Sequence, residues 1–493
     1  MKKLSILSVF MLMSFVIFAQ SDEELVRNTI KKNTIKGHIY FLASDELAGR
    51  ETGTHGIDVA ARYIATTFQR YGVSPVPGAT EGYFQEVPLV KNVAPETYAL
   101  QIGGKQVAPE DLIRAEGSDV NLTTDQYVFV DYGSEEDFTG KDLKGKIAVA
   151  KAGSEDNQDL NFVYQLSAKK SVYAKDAGAL GLIELHTEES KNWDRFKGFM
   201  GRSGIGFADK EEANSFFRLW IKDFKEEWLK TYMARNRKNI EVSISEAMAL
   251  PMPSKNVVGM VEGTDPELKD EFIIYSAHYD HLGIGKANSE GDSIYNGARD
   301  NAVGVVTVMS AAESIAKNPT KRSALFILFT AEEKGLLGSR YYVENPLLPL
   351  EDMVYCFNSD NGGYNDTSLT TIIGLERTTA GKHIKTASKA FGLKAIDDPA
   401  GEQGLFDRSD NVNFARKGIP APTFSLGFTA FDAEIGKYYH QQSDNPESID
   451  YDYMEKFFRA FVLSARLIAN DQETPFWVEG DKYYEAGKML YED

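Results

Sequence analysis

The chain has 493 residues, of which 42% are apolar and 26% charged, and its formal net charge is −19. That length exceeds one ordinary domain, so two or three are expected, and the acidic balance argues against nucleic acid as a partner, which needs basic surface to release counterions. A single cysteine, Cys356, forms no internal disulfide and reads as a buried core thiol, so stability has to come from packed cores and from metal.

Residues 1–20, MKKLSILSVFMLMSFVIFAQ, read as a signal peptide. Lys2 and Lys3 lead, Leu4 to Phe18 is apolar, and Ala19 suits a cleavage point. Export to the periplasm or the outside follows. No later segment approaches the run of apolar residues that a membrane span needs. Residues 23–72 read as helical; Ile57, Ala60, Ala61, Ile64, Phe68 and Tyr71 recur at helical spacing, and Gly72 is placed to end the helix. Residues 82–102 look like strand and loop.

From about 105 to 245 the texture changes. YVFVDYG (127–133) and KGKIAVAKAG (144–153) are short strands, KKSVYAKDAGALGLIEL (169–185) is a helix followed by a strand, and 210–235 is expected to be an amphipathic helix. After Pro251 and Pro253 a second pattern begins: strands at 256–263, 271–280, 324–329, 353–360 and 421–428 alternate with helices, among them a buried one over 302–317 and a last amphipathic one over 451–470. The fold class expected is therefore α/β, a mostly parallel central sheet flanked by helices.

In such sheets functional groups gather where the strands end. His278 and Asp280 close one strand, Glu332 and Glu333 the next, and Asp360 a third; Asp300 precedes the buried helix and His440 follows the last strand. One acid at a strand end is ordinary turn chemistry; this many in one sheet call for another reason. Two imidazoles and several carboxylates are the donors that a pair of zinc ions takes, with one carboxylate shared between the ions.

SAHYDHLG (276–283), NGARDNAVG (296–304), TAEEKGLLGS (330–339), FNSDNGG (357–363) and YYHQQSD (438–444) occur in that order, after FLASDELAGRETGTHG at 41–56. Together they resemble the co-catalytic dizinc aminopeptidase family, which also contains glutamate carboxypeptidase II, glutaminyl cyclase and the transferrin receptor. The block at 105–245 is similar to a protease-associated domain inserted into the catalytic domain, whose parts are then 21–104 and 246–493. The resemblance implies two zinc ions: His278 and Asp360 on one, Glu333 and His440 on the other, Asp300 bridging. It implies Glu332 as general base, Asp280 as the acid that orients His278, Tyr439 as an oxyanion donor and Asp444 as a supporting acid. The substrates implied are peptides, cut at the N-terminus. Carboxypeptidase or cyclase chemistry on the same fold, and a non-catalytic receptor-like binding protein, are the alternatives. Asn411, in Ser409-Asp410-Asn411, departs from the family's Ser-Asp-His; Arg299 and Val303 stand where small or acidic residues are also common. These departures leave substrate preference open and do not touch the expected hydrolysis. His281 reads as a structural or supporting group, and His38, His55, His186 and His383 match no motif.

Overall fold

The computed structural model describes residues 20–189, 191–200, 203–208, 216–233 and 238–491. The expected signal peptide, apart from residue 20, lies outside the described residues. The chain divides into two compact units, Met1–Val87 with Ser254–Asp493, and Pro88–Pro253.

The first unit is built on an eight-stranded sheet. Its strands, in chain order, are β1 (Phe84–Val87), β2 (Ser254–Val261), β3 (Phe272–His278), β4 (Ser323–Phe329), β5 (Met353–Ser359), β6 (Leu369–Ile373), β7 (Lys394–Asp397) and β8 (Thr423–Leu426), arranged β1-β2-β4-β3-β5-β8-β6-β7. The central strands β4, β3, β5 and β8 are parallel to one another, whereas the pairs β1–β2, β2–β4 and β8–β6 are antiparallel. In the β1–β2 pair Val87 lies opposite Ser254. Every residue of β3, β4 and β5 is buried, which is why these strands read as continuous apolar runs rather than as alternation.

Helices cover both faces. On one lie α1 (Asp22–Thr29), α2 (Lys32–Leu42), α3 (His55–Tyr71), α4 (Gly304–Lys317), α6 (Gly381–Ala390) and α8 (Tyr451–Asn470). On the other lie α5 (Leu337–Glu344), α7 (Asn411–Arg416) and the segment around Trp477, whose indole N–H donates to the Gly418 carbonyl at 2.8 Å. The apolar stripe of α3 is the one the spacing predicts: Ile57, Ala60, Ala61, Ile64 and Phe68 are buried, and Gly72, at φ +83°, caps the helix in the left-handed conformation. Gly304 has no room for a side chain; a Cβ there would run into the Asn301 side chain and the Ser359 carbonyl, so only glycine lets α4 start against the end of β5.

His38 on α2 holds two tyrosine hydroxyls, Tyr63 at 2.7 Å and Tyr71 at 2.9 Å. Burial, with Arg70 adding to it, lowers its pKa to about 4. Above the unfolded value near 6.5 both states are neutral and the shift has no effect. As pH falls from there the unfolded chain takes up a proton that the folded one refuses, so stability declines and then levels off below about 4. At about 1.4 kcal/mol per pKa unit the loss reaches about 3 kcal/mol. Urea midpoints measured between pH 7 and 4 should fall, and His38→Gln, which keeps a polar side chain without the charge, should flatten that fall. An unchanged slope in the variant rules out His38 as its source.

The second unit holds a five-stranded sheet, in the order Leu112–Glu116, Phe217–Lys222, Gly181–His186, Ile147–Lys151 and Tyr127–Phe129, of which the last four are parallel neighbours. Helix Leu160–Asp176 packs beside it, and a four-stranded antiparallel sheet adds to its core. The helix expected over 210–235 is instead a strand, Phe217–Lys222, and a short helix, Glu227–Met233; 209–215 and 234–237 lie outside the described residues. Phe-Arg-Leu-Trp-Ile-Lys is rich in aromatic and branched side chains, which favour the pleated surface beside Gly181–His186.

Candidate active site

Parallel pairing brings the chemistry to one edge. His278 ends β3 directly opposite Phe329, the last residue of β4, and Ser276 lies opposite Asn358 near the end of β5. Glu332 and Glu333 after β4, and Asp360 after β5, therefore emerge beside His278. Asp300 enters from the turn before α4, behind Gly297 at φ +59°, with a cis peptide to Asn301.

Asp300 occupies the middle. One carboxylate oxygen is 3.4 Å from His278 Nε2 and the other 3.3 Å from His440 Nε2. His278 Nε2 is also 3.4 Å from Asp360, and His440 Nε2 is 3.5 Å from Glu333. His278, Asp300 and Asp360 offer donor atoms within 4.8 Å of one another, as do His281, Asp300 and Glu333, close enough for each set to share an ion. His281 lies under Glu333, its Nδ1 2.8 Å from one Glu333 oxygen, and is fully buried. His440, by contrast, is 35% exposed and lines the cleft. Its backbone is left-handed, at φ +56°, and its ring stacks on Tyr439 at 4.0 Å.

Asp280 takes a different part from the one expected. Its backbone carbonyl, not its carboxylate, meets His278 Nδ1, at 3.2 Å, while the carboxylate stands 3.8 Å away. The carboxylate accepts the amides of Glu332 at 3.0 Å and Glu333 at 3.3 Å, and the Thr52 hydroxyl at 3.2 Å. Asp280 thus pins the two-glutamate turn against the end of β3. Asp444 does the same for Asp300, accepting its amide at 3.1 Å. Arg50, 1% exposed, fastens the surrounding turns through carbonyl oxygens: Tyr279 at 2.9 Å, Asn296 at 2.7 Å, Gly297 at 3.0 Å, and Leu42.

The electrostatics follow from the crowding. Burial opposes a charge on His278 and on His440, yet the acids around them win: His278 is raised well above its ordinary pKa by Glu332, Asp360 and Asp300, and His440 to about 10 by Asp300 and Glu333. Burial, with Asp360, Asp410 and Glu333 adding to it, pushes Glu332 well up, whereas the imidazoles hold Asp300 far down against its burial. Where acids crowd together without cations, the two imidazoles and Glu332 hold their protons more tightly than they would in water.

His278, Asp300, Glu332, Glu333, Asp360 and His440 line a cleft of about 350 Å³, to whose lining Ile373, Leu405, Phe428, Phe431 and Ile435 add apolar surface. Arg408, at the cleft, donates to the Tyr439 hydroxyl at 3.3 Å. A substrate-side effect of Asn411, Arg299 and Val303 finds no support here, because all three are buried and none is among the lining residues; Asn411 donates to the Ala421 carbonyl at 3.0 Å. The parts that sequence reasoning missed are Arg50, the His281–Glu333 contact and the apolar residues of the lining. Arg50 lay inside the quoted 41–56 motif, but nothing in its spacing marks an arginine that binds only carbonyls.

The model of Peptidase family M28 matches residues 256–465. Aminopeptidase YwaD of Bacillus subtilis (strain 168) is 26% identical over 336 residues, 66% of this chain and 62% of that protein. Aminopeptidase Y of Saccharomyces cerevisiae is 24% identical over 258 residues, 48% of this chain and 43% of that protein. The chain thus spans less than two thirds of the length of either. Among solved structures, an aminopeptidase from Aneurinibacillus sp. strain AM-1 shares the fold with a TM-score of 0.55, at 21% identity, over 92% of this chain and 97% of that one. The stretch similar to that family carries all the converging acids and imidazoles.

Proposed function

We propose that the chain is a zinc-dependent aminopeptidase that hydrolyses the N-terminal residue from peptides. The observation that carries this reading is Asp300, whose two oxygens face two different imidazoles at 3.4 and 3.3 Å, the disposition of a bridging carboxylate. His278 and Asp360 would hold one zinc, and Glu333 and His440 the other. Imidazole nitrogens and carboxylate oxygens are zinc's usual donors. The charge supports a pair of ions: Asp300, Glu332, Glu333 and Asp360 bring four negative charges, which two dications would balance.

Bound zinc would supply an acidified water and a polarised substrate carbonyl. The chain's own residues do the rest. Glu332, whose carboxyl burial makes unusually basic, takes the proton of the attacking water and delivers it to the leaving amine. Tyr439 keeps its proton, because burial raises its pKa. Its oxygen already accepts from Arg408, so its own O–H is left to donate to the oxygen that gains charge on the carbonyl. The apolar residues of the lining take the substrate's side chain, and the acids favour a free α-ammonium group. Arg408 is the one lysine or arginine among the described residues lining the cleft, and it donates to the Tyr439 hydroxyl.

No helix among the described residues is long and apolar enough to cross a membrane, and the charged and apolar stretch at 1–20 supports export. Aminoacyl anilides set beside their N-acetylated counterparts test the reading. Free amines should be favoured in kcat/KM by on the order of 10–100-fold, the worth of a charged hydrogen bond of about 1.5–3 kcal/mol. Faster turnover of the acetylated compounds would move the assignment to an endopeptidase or carboxypeptidase.

A further inference from the structure

We infer that Arg299 is a positioning residue that ties the bridging carboxylate of Asp300 to the loop carrying His440, and so sets the zinc affinity of the Glu333–His440 position. This rests on the two-zinc reading above. Arg299 is 2% exposed and reaches no part of the cleft. Its Nη1 donates to Asp444 at 2.9 Å and to the Ser448 hydroxyl at 2.8 Å, and its Nη2 to the Ser448 carbonyl at 2.9 Å. Its guanidinium lies 3.7 Å from the ring centre of Tyr438, two residues before His440. The Asp444 carboxylate in turn accepts the backbone amides of Arg299, at 2.9 Å, and of Asp300, at 3.1 Å. One arginine and one aspartate thus clamp the turn bearing Asp300 to both ends of the 438–448 loop.

The two metal positions do not depend on this clamp equally. On the far side of Asp300, Asn301 donates to the Ser359 carbonyl at 2.9 Å and accepts from Asn361 at 3.0 Å. These bonds anchor Asp300 to the end of β5, which leads into Asp360, and they need nothing from Arg299. His440 has no strand beneath it; apart from the clamp, its loop is tied to other segments by single hydrogen bonds, from Gln442 to the Lys286 carbonyl at 2.9 Å, from Arg408 to the Tyr439 hydroxyl at 3.3 Å, from the Ala298 amide to the Asp444 carbonyl at 3.0 Å and from the Tyr451 hydroxyl to the Pro446 carbonyl at 2.9 Å. Removing the guanidinium leaves Asp444 buried without its counter-charge, and breaking a buried pair from one side is costly. The loop then loosens while the His278–Asp360 side stays braced.

Zinc titration of chelator-stripped protein, with the melting curve of the metal-free form as the check on folding, tests the inference. Wild type should take two zincs. Arg299→Met should keep one affinity and lose about 10–100-fold in the other, the usual cost of removing a group that supports a ligand. Arg299→Lys, which keeps the charge but not the fork or the stacking, should weaken the same position less. Unchanged affinities in Arg299→Met, or both weakened alike in a protein with a native melt, overturn the inference. If Arg299→Met fails to fold, Arg299→Lys decides, and wild-type affinity in it at both positions overturns the inference. A wild type that takes a single zinc overturns the two-zinc reading together with the inference, whereas two zincs in an unresponsive variant overturn the inference alone.

Discussion

Glu332→Gln should keep both metals and lose on the order of 10²–10⁴-fold in turnover, the range a positioned general base contributes. The two glutamates after β4 sit on one turn, both amides held by the Asp280 carboxylate, but their side chains meet different groups. Glu333 faces His440 and His281; Glu332 feels chiefly His278 and Asp360 among its charged neighbours. Successive residues beyond a strand end point in different directions, so the pair can divide labour. An amide in place of Glu332 removes a proton carrier and no ligand. In place of Glu333 it leaves a poorer donor beside His440, so Glu333→Gln should bind zinc more weakly and recover part of its activity when zinc is added. Metal content and turnover of the two variants, measured together, decide. Loss of zinc from Glu332→Gln, or full activity in it, would mean the roles are exchanged or mistaken.

Stripping the proposed zinc ions should abolish hydrolysis and lower the melting temperature by roughly 5–10 °C. The reason is the crowd of acids. Asp300 and Glu333 have side chains only 5% and 7% exposed and lie close to further carboxylates. A ligand that binds only the folded state at about a hundred times its Kd contributes about 2.7 kcal/mol, so two ions contribute about 5 kcal/mol. For a unit as large as Met1–Val87 with Ser254–Asp493, an unfolding entropy of about 2.1 cal/mol/K per residue makes that about 1–2 °C per kcal/mol. Scanning calorimetry with and without chelator, followed by added zinc, measures the shift. An unchanged melt in a protein that stays active after stripping would remove the metal from the account.

The residues that converge at the cleft were legible in the sequence because they punctuate the strands. Buried parallel strands are unbroken apolar runs, so a histidine or a pair of glutamates at their ends stands out, and the sheet's register then brings the ends together. The helices α3 and α8 showed themselves by periodicity. What stayed hidden depends on contacts between distant segments. Asp280 lies two residues from His278 along the chain, but its carboxylate serves a turn some fifty residues away. Arg299 stands in a motif as an odd substitution, and its use is decided by Asp444 and Tyr438. In Phe217–Lys222 an apolar run satisfied two periods at once, and pairing with Gly181–His186 decided for the strand.

Val87 and Ser254 are cross-strand partners in the antiparallel β1–β2 pair, and the whole of Pro88–Pro253 lies in the chain between them. Topologically, that unit replaces the turn of a hairpin. The leaving point and the return point are already neighbours, so the register of the catalytic sheet does not depend on how much chain the connection contains. A lineage could gain, exchange or discard a module at this place without moving one of the proposed metal ligands, because all of them come from strands and turns beyond the return point. Change in the module and constancy of the catalytic sheet can therefore evolve on separate stretches of one gene.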